Sequence, residues 1–234
     1  IYLGPYLRSD PRRVRLTFSL VFLSPYFKAI LRVGAIAYLS SLPTVLTILI
    51  LTKIVAGFGP GALAGYGIGT RLEFLLIPIT FAIGVACVPM VGMAIGGGLV
   101  KRAKQVAWTG AALSAGMVGL IGIVAALLPE RWAMLFTDNA EVIAITHLYL
   151  MWVAPVYGFF ALGLCLYFAS QGAGKLLGPV LAGTLRLVMV AGGGLYMLHA
   201  GGTSPSNLFA LIACAMAAYG VVTAACVYWV KWEI

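Results

Sequence analysis

Charge is what this 234-residue chain has least of: Asp, Glu, Lys and Arg together make up 9% of it, against about 25% in an ordinary soluble domain. With 62% apolar residues it cannot clothe itself in a water-compatible surface, which excludes a soluble fold and makes it an integral membrane protein. Acid is scarcer still, six residues against fifteen basic ones. The resulting net charge of +9 does not point to nucleic acid, because the basic residues fall in short clusters between apolar runs, as they do when they set topology in a bilayer. His147 and His199 stand apart near span ends, with no HExxH and no acid at ligand spacing. No nucleophile–base pair accompanies them, so the sequence offers neither a metal centre nor an enzyme. The four cysteines, Cys87, Cys165, Cys214 and Cys226, lie inside apolar runs without a CxxC spacing and read as buried thiols.

What is present is a series of long apolar runs, with a mean hydropathy of +1.06. Spans are predicted at 33–57, 62–96, 105–128, 142–168, 176–199 and 207–230, giving an all-α bundle of six transmembrane helices over 33–232. Connections are short, so neighbours pack antiparallel. Residues 1–7 (IYLGPYL) are too short to cross and lack a signal peptide's basic region. They read as the tail of a missing helix, and the chain as a fragment. Residues 8–32, with Arg8, Arg12, Arg13, Arg15, Lys28 and Arg32, read as a linker with a membrane-skimming piece. Eleven of the fifteen basic residues fall on the linker's side of this topology. That side, with the C-terminus, is therefore expected to be cytoplasmic in a plasma (bacterial inner) membrane.

The chain is organised around AGYGIGTRLE (64–73), which opens a run of 22 uncharged residues, 74–95. As a helix that run measures roughly 33 Å. Pro78 and Pro89 within it each remove a backbone donor and favour a kink. Arg71 and Glu73 are two apart and point about 200° away from each other. Either one of them enters a polar cavity that binds a cation, a proton or substrate, or both are solvated at the interface. Arg186 lies ten residues into its span, about 15 Å from the end, and is either functional or tied to a carbonyl or acid. Ser40, Thr44 and Thr47 form one stripe on a helix kinked by Pro43, where hydroxyls either line a path or satisfy freed carbonyls. Tyr149, Tyr157, Phe160 and their neighbours give the fourth span an aromatic character suited to lipophilic cations, or to an ordinary core. Tyr66 sits in a GYG that lacks the preceding Thr-Val and the re-entrant loop of a potassium filter.

Three stretches, ALAGYGIGTRLEFLLIP (62–78), LFTDNAEV (135–142) and YFASQGAG (167–174), together with LRVG (31–34), resemble the C-terminal half of a multidrug and toxic compound extrusion (MATE) transporter. The resemblance covers nearly the whole chain in order. It implies one six-helix lobe of a twelve-helix protein, with residues 8–32 as the inter-lobe linker and residues 1–7 as the end of helix six. It further implies export of small organic cations and drugs by alternating access in exchange for H⁺ or Na⁺. No organic cofactor is implied, and the partner would be a missing N-terminal lobe or a second subunit. The chain departs from one branch of the family, whose coupling acids in helices seven and ten fall here near Thr44 and Phe160, neither acidic. In another branch the acid lies in helix one, absent here. Coupling is thereby left to the other lobe or to Glu73. The expected cavity residues are Glu73, Arg71, Tyr66, Ser40, Thr44, Tyr157 and Arg186. The rival readings are a lipid-linked oligosaccharide flippase of the same superfamily and a non-transporting six-helix membrane subunit.

Overall fold

The computed structural model describes the backbone of residues 24–199, 204–230 and 232. The expected stub and most of the expected linker lie outside these residues, as do the side chains of 32–41. The molecule divides into two units, Ile1–Leu39 and Ser40–Ile234. The helical backbone of 24–39 is the described part of the first, and the packed bundle with its cavities is the second.

The long elements are α1 (Ser24–Ala56), α2 (Pro60–Gly96), α3 (Val100–Leu127), α5 (Ala140–Val153), α6 (Tyr157–Gly172), α7 (Leu177–His199) and α8 (Pro205–Trp229), with a short α4 (Pro129–Ala133) between α3 and α5. Five segments of the described chain are long and apolar enough to cross a membrane, counting α5 and α6 as one segment, Ala140–Gly172. In α1 the described apolar part is Leu42–Ala56. The helix itself begins at Ser24, so position 33 is no break in the backbone.

Local chemistry sets the ends. Gly59, at φ 107°, turns the chain into α2, whose first residue is Pro60, where a missing N–H costs nothing. Asn139 caps α5 by accepting from the backbone N–H of Glu141 at 2.9 Å and Val142 at 3.4 Å. Ser204 caps α8 through Asn207 N–H at 3.2 Å, ahead of Pro205; such caps are each worth about 1 kcal/mol. The fourth expected span is not one helix. Pro155 breaks it into α5 and α6 through a 3₁₀ turn, Ala154–Val156, because proline cannot donate to the preceding turn.

Helix α6 is the inner element, packed against α2, α3 and α8, while α7 packs chiefly on α8. Small residues permit the close approaches, as lipid-embedded helices require. Gly119 of α3 meets Gly158 of α6 backbone to backbone, and Gly163 of α6 faces Gly220 of α8. Ser114 of α3 donates to Thr80 Oγ1 of α2 at 3.1 Å, a buried polar tie between two helices. Two apolar clusters fill the interior, one around Tyr66, Tyr149, Phe209 and Met216, the other around Cys87, Val91, Ala107, Leu166 and Trp232. Outward faces carry large apolar side chains such as Leu75, Met93, Leu120 and Leu127, as helices bathed in lipid do.

The α4 turn is anchored by Trp132, whose indole Nε1 donates to the Ile68 carbonyl at 3.0 Å. Trp132→Phe should lower stability by about 1 kcal/mol, read as a lower melting temperature in detergent; an unchanged temperature would show that the loop does not brace α2.

Candidate functional site

The glycines of 64–73 do two different things. Gly65 and Gly69, one turn apart, face α5: a Cβ at Gly65 would strike Ile145, and one at Gly69 would strike the ring of Tyr149. Gly67, between them, has open space around it and faces a cavity. On the same close contact, Thr146 of α5 donates to the Gly65 carbonyl at 3.1 Å. The four-residue glycine spacing thus brings α5 against α2 and delivers Tyr149 beside Glu73.

Tyr149 donates its hydroxyl to Glu73 Oε2 at 3.2 Å. Its ring meets Tyr66 edge-on, with centroids 5.5 Å apart, and Phe209 of α8 likewise at 5.2 Å. Tyr66 and Phe209 are stacked at 6.5 Å. In front of this aromatic wall opens a cavity of about 360 Å³, walled by Thr44 of α1, Tyr66 and Glu73 of α2, Tyr149 of α5, Phe160 of α6, Arg186 of α7 and Met216 of α8. That volume is within the range of small-molecule sites. Every long helix of the described bundle except α3 contributes to it.

Arg186 is 7% exposed, and its guanidinium lies 5.0 Å above the centre of the Phe160 ring, within cation–π range. Glu73 and Arg186 line the same cavity but are not in salt-bridge contact. Among the described residues the imidazole–carboxylate contact is His147 Nδ1 with Glu130 Oε1, 3.3 Å apart. His147 therefore does not stand apart as its sequence position suggested; its other ring nitrogen lies 2.9 Å from Met151 Sδ. Behind Glu73 a water-sized pocket of about 10 Å³ is lined by Thr80 and Tyr157 among others. The buried Tyr157 hydroxyl makes no hydrogen bond of good geometry among the described residues.

Of the residues singled out in the sequence, Tyr66, Glu73, Thr44 and Arg186 are brought to one cavity, and Tyr157 lies just behind it. Arg71 does not join them. Two positions from Glu73, it emerges on another side of α2, exposed, with its guanidinium 5.1 Å over the Phe136 ring. The side chain of Ser40 lies outside the described residues. Thr47 turns away from any path: it is buried and donates to the Pro43 carbonyl at 2.7 Å, so the hydroxyl stripe of α1 is partly backbone repair. The sequence missed Tyr149 as the partner of Glu73, because 76 positions separate them. The signal that could have found it is the Gly65/Gly69 spacing, which marks a face made to receive a bulky side chain.

The MatE family model matches residues 37–192. Among curated relatives, the probable multidrug resistance protein NorM of Thermotoga maritima is 29% identical over 154 residues, 66% of this chain and 33% of the relative. The FAD transporter of Shewanella oneidensis is 26% identical over 121 residues, 52% of this chain and 26% of the relative. The chain thus spans a third or less of the length of these proteins. Among solved structures, the Vibrio cholerae MATE transporter VcmN in its bent form superposes with a TM-score of 0.78 at 23% identity, over 89% of this chain and 47% of that one. A MOP superfamily transporter from Pyrococcus furiosus, described by a binding pocket of reverse polarity, gives 0.70 at 15% identity, over 86% and 45%. At such identities these two likenesses show the fold alone. The family match takes in more than half of the sequence, and with it the cavity wall formed by α1, α2, α5, α6 and α7: the chain belongs to the MATE family of membrane transporters.

Proposed function

We propose that this chain is the second six-helix lobe of a secondary transporter that exports organic cations and drugs in exchange for H⁺ or Na⁺, with the linker and C-terminus cytoplasmic and the other lobe as its partner. The observation that carries the reading is Glu73, a carboxylate on the wall of an aromatic cavity and hydrogen-bonded by Tyr149. Aromatic faces and one acid together suit a flat lipophilic cation, and an acid inside a membrane span is a natural place for a proton or sodium ion to act. Thr44, Tyr66 and Arg186 complete the wall. The test is the native protein in everted membrane vesicles. Ethidium should be taken up against its gradient and released when the proton or sodium gradient is collapsed. Failure of both the proton and the sodium gradient to drive uptake would end the antiport reading.

A second reading has its own observation. Arg186 is a buried guanidinium facing the cavity without a carboxylate in contact, an arrangement that would also hold a phosphate or carboxylate. A flavin nucleotide, as the name of the Shewanella relative suggests, or a lipid-linked oligosaccharide would use it. Uptake of an anionic probe in place of ethidium by the same vesicles would favour this reading. A non-transporting membrane subunit would take up neither.

A further inference from the structure

Between helices α2 and α3 lies a groove of about 670 Å³ whose lining residues are distinct from those of the central cavity. Its α3 wall carries Arg102, Gln105 and Thr109 and then Leu113, a succession three to four residues apart and so on one helix face. The α2 wall facing them is apolar, with Ala86 and Met90. From Arg102 to Leu113 the groove runs roughly 17 Å at 1.5 Å per residue, close to half of a hydrocarbon core about 30 Å thick. Polar groups thus occupy the end at the α2–α3 turn, and apolar ones continue to the depth that a single acyl chain reaches.

The charge at that end is of one sign. Lys101 and Lys104 flank Arg102 at the start of α3. Among the described residues the acids other than Glu73 lie beyond the far end of α3, at Glu130, Asp138 and Glu141. We propose that the α2–α3 groove binds one anionic glycerophospholipid of the leaflet that bears the α2–α3 turn, its phosphate on Arg102 and Gln105 and one acyl chain between Ala86, Met90 and Leu113. A helix of another protein would find a lone Arg, Gln and Thr at one end of an otherwise apolar track. A headgroup followed by a chain matches both parts, and the guanidinium of Arg102 suits a phosphate oxygen pair.

The experiment is native mass spectrometry of the intact protein released from a mild detergent, with phosphatidylglycerol or phosphatidylcholine added in turn. One phosphatidylglycerol should be retained at activation energies that strip phosphatidylcholine. Arg102→Ala, which removes a charge-assisted hydrogen bond to the phosphate, should weaken retention by about tenfold or more, whereas Lys101→Ala, on the same turn but outside the groove, should leave it within twofold. Ala86 is exposed on the groove wall, so Ala86→Leu should fill the track and displace the lipid without a loss of melting temperature. Equal retention of the two lipids overturns the proposal. So does equal weakening by Arg102→Ala and Lys101→Ala, which would mean surface charge alone, or a co-purifying polypeptide in place of the lipid.

Discussion

Glu73→Gln is expected to abolish export of cationic drugs by the native protein while leaving its amount in the membrane unchanged. Gln has the shape of Glu and keeps a carbonyl oxygen that can accept from Tyr149, now 3.2 Å from the carboxylate. What disappears is the charge. Two unit charges 4 Å apart at an effective dielectric of about 20 attract by about 4 kcal/mol. A cation held in this cavity should therefore bind roughly two to three orders of magnitude more weakly. The substitution also leaves Arg186 as the one cation on a wall without an acid, which adds repulsion. Drug susceptibility and vesicle uptake measure the effect, with the membrane level of the variant as control. Wild-type resistance in Glu73→Gln would remove Glu73 from the coupling and binding machinery. Arg186→Gln separates the two functional readings: a cation exporter should tolerate it far better than Glu73→Gln, and an anion carrier should rank the two in reverse.

Gly69→Ala is expected to lower stability by about 1–3 kcal/mol, with a clear drop in melting temperature, while Gly67→Ala, two residues away, should cost nothing. A Cβ at Gly69 would overlap Cδ1 of Tyr149 and come within 2.9 Å of its Cε1, whereas one at Gly67 meets nothing within 4 Å. The ring cannot simply swing aside. It is 1% exposed, wedged between Tyr66 and Phe209, and held at its hydroxyl by Glu73. Gly69→Ala therefore also disturbs the cavity, and ethidium binding should fall with stability. Thermal unfolding in detergent checks both variants side by side. Equal melting temperatures would mean that α2 and α5 are not packed through this face.

The apolar runs made the helices legible within about five residues except at the start of α1, which begins at Ser24 and not at 33, because a membrane span announces itself by composition. Glu73 was conspicuous for the same reason, as a carboxylate at the mouth of an uncharged run, but whether it met a cavity or the interface was not legible from the helix it sits on. Arg71 shows where that logic divides. Helical spacing separated it from Glu73 but could not say which of the two faces the bundle. The pairing of Glu73 with Tyr149 and of Arg186 with Phe160 depends on which helices touch, and spacing within one helix carries no such information. The fourth span was expected as a single stretch, 142–168, and the break at Pro155 came from the structure.

That break has a mechanical consequence. Tyr149 lies five residues before Ala154, a lever of roughly 7.5 Å, and Phe160 lies on the far side of the turn. A 3₁₀ segment inside a longer helix is a natural pivot. A tilt of about 10° at the turn would carry the Tyr149 hydroxyl roughly 1.3 Å along that lever, enough to undo its bond to the carboxylate, while Phe160 stays beneath the Arg186 guanidinium. The aromatic partner of the acid and that of the cation thus stand on opposite arms of one joint, while Glu73 and Arg186 themselves ride on other helices.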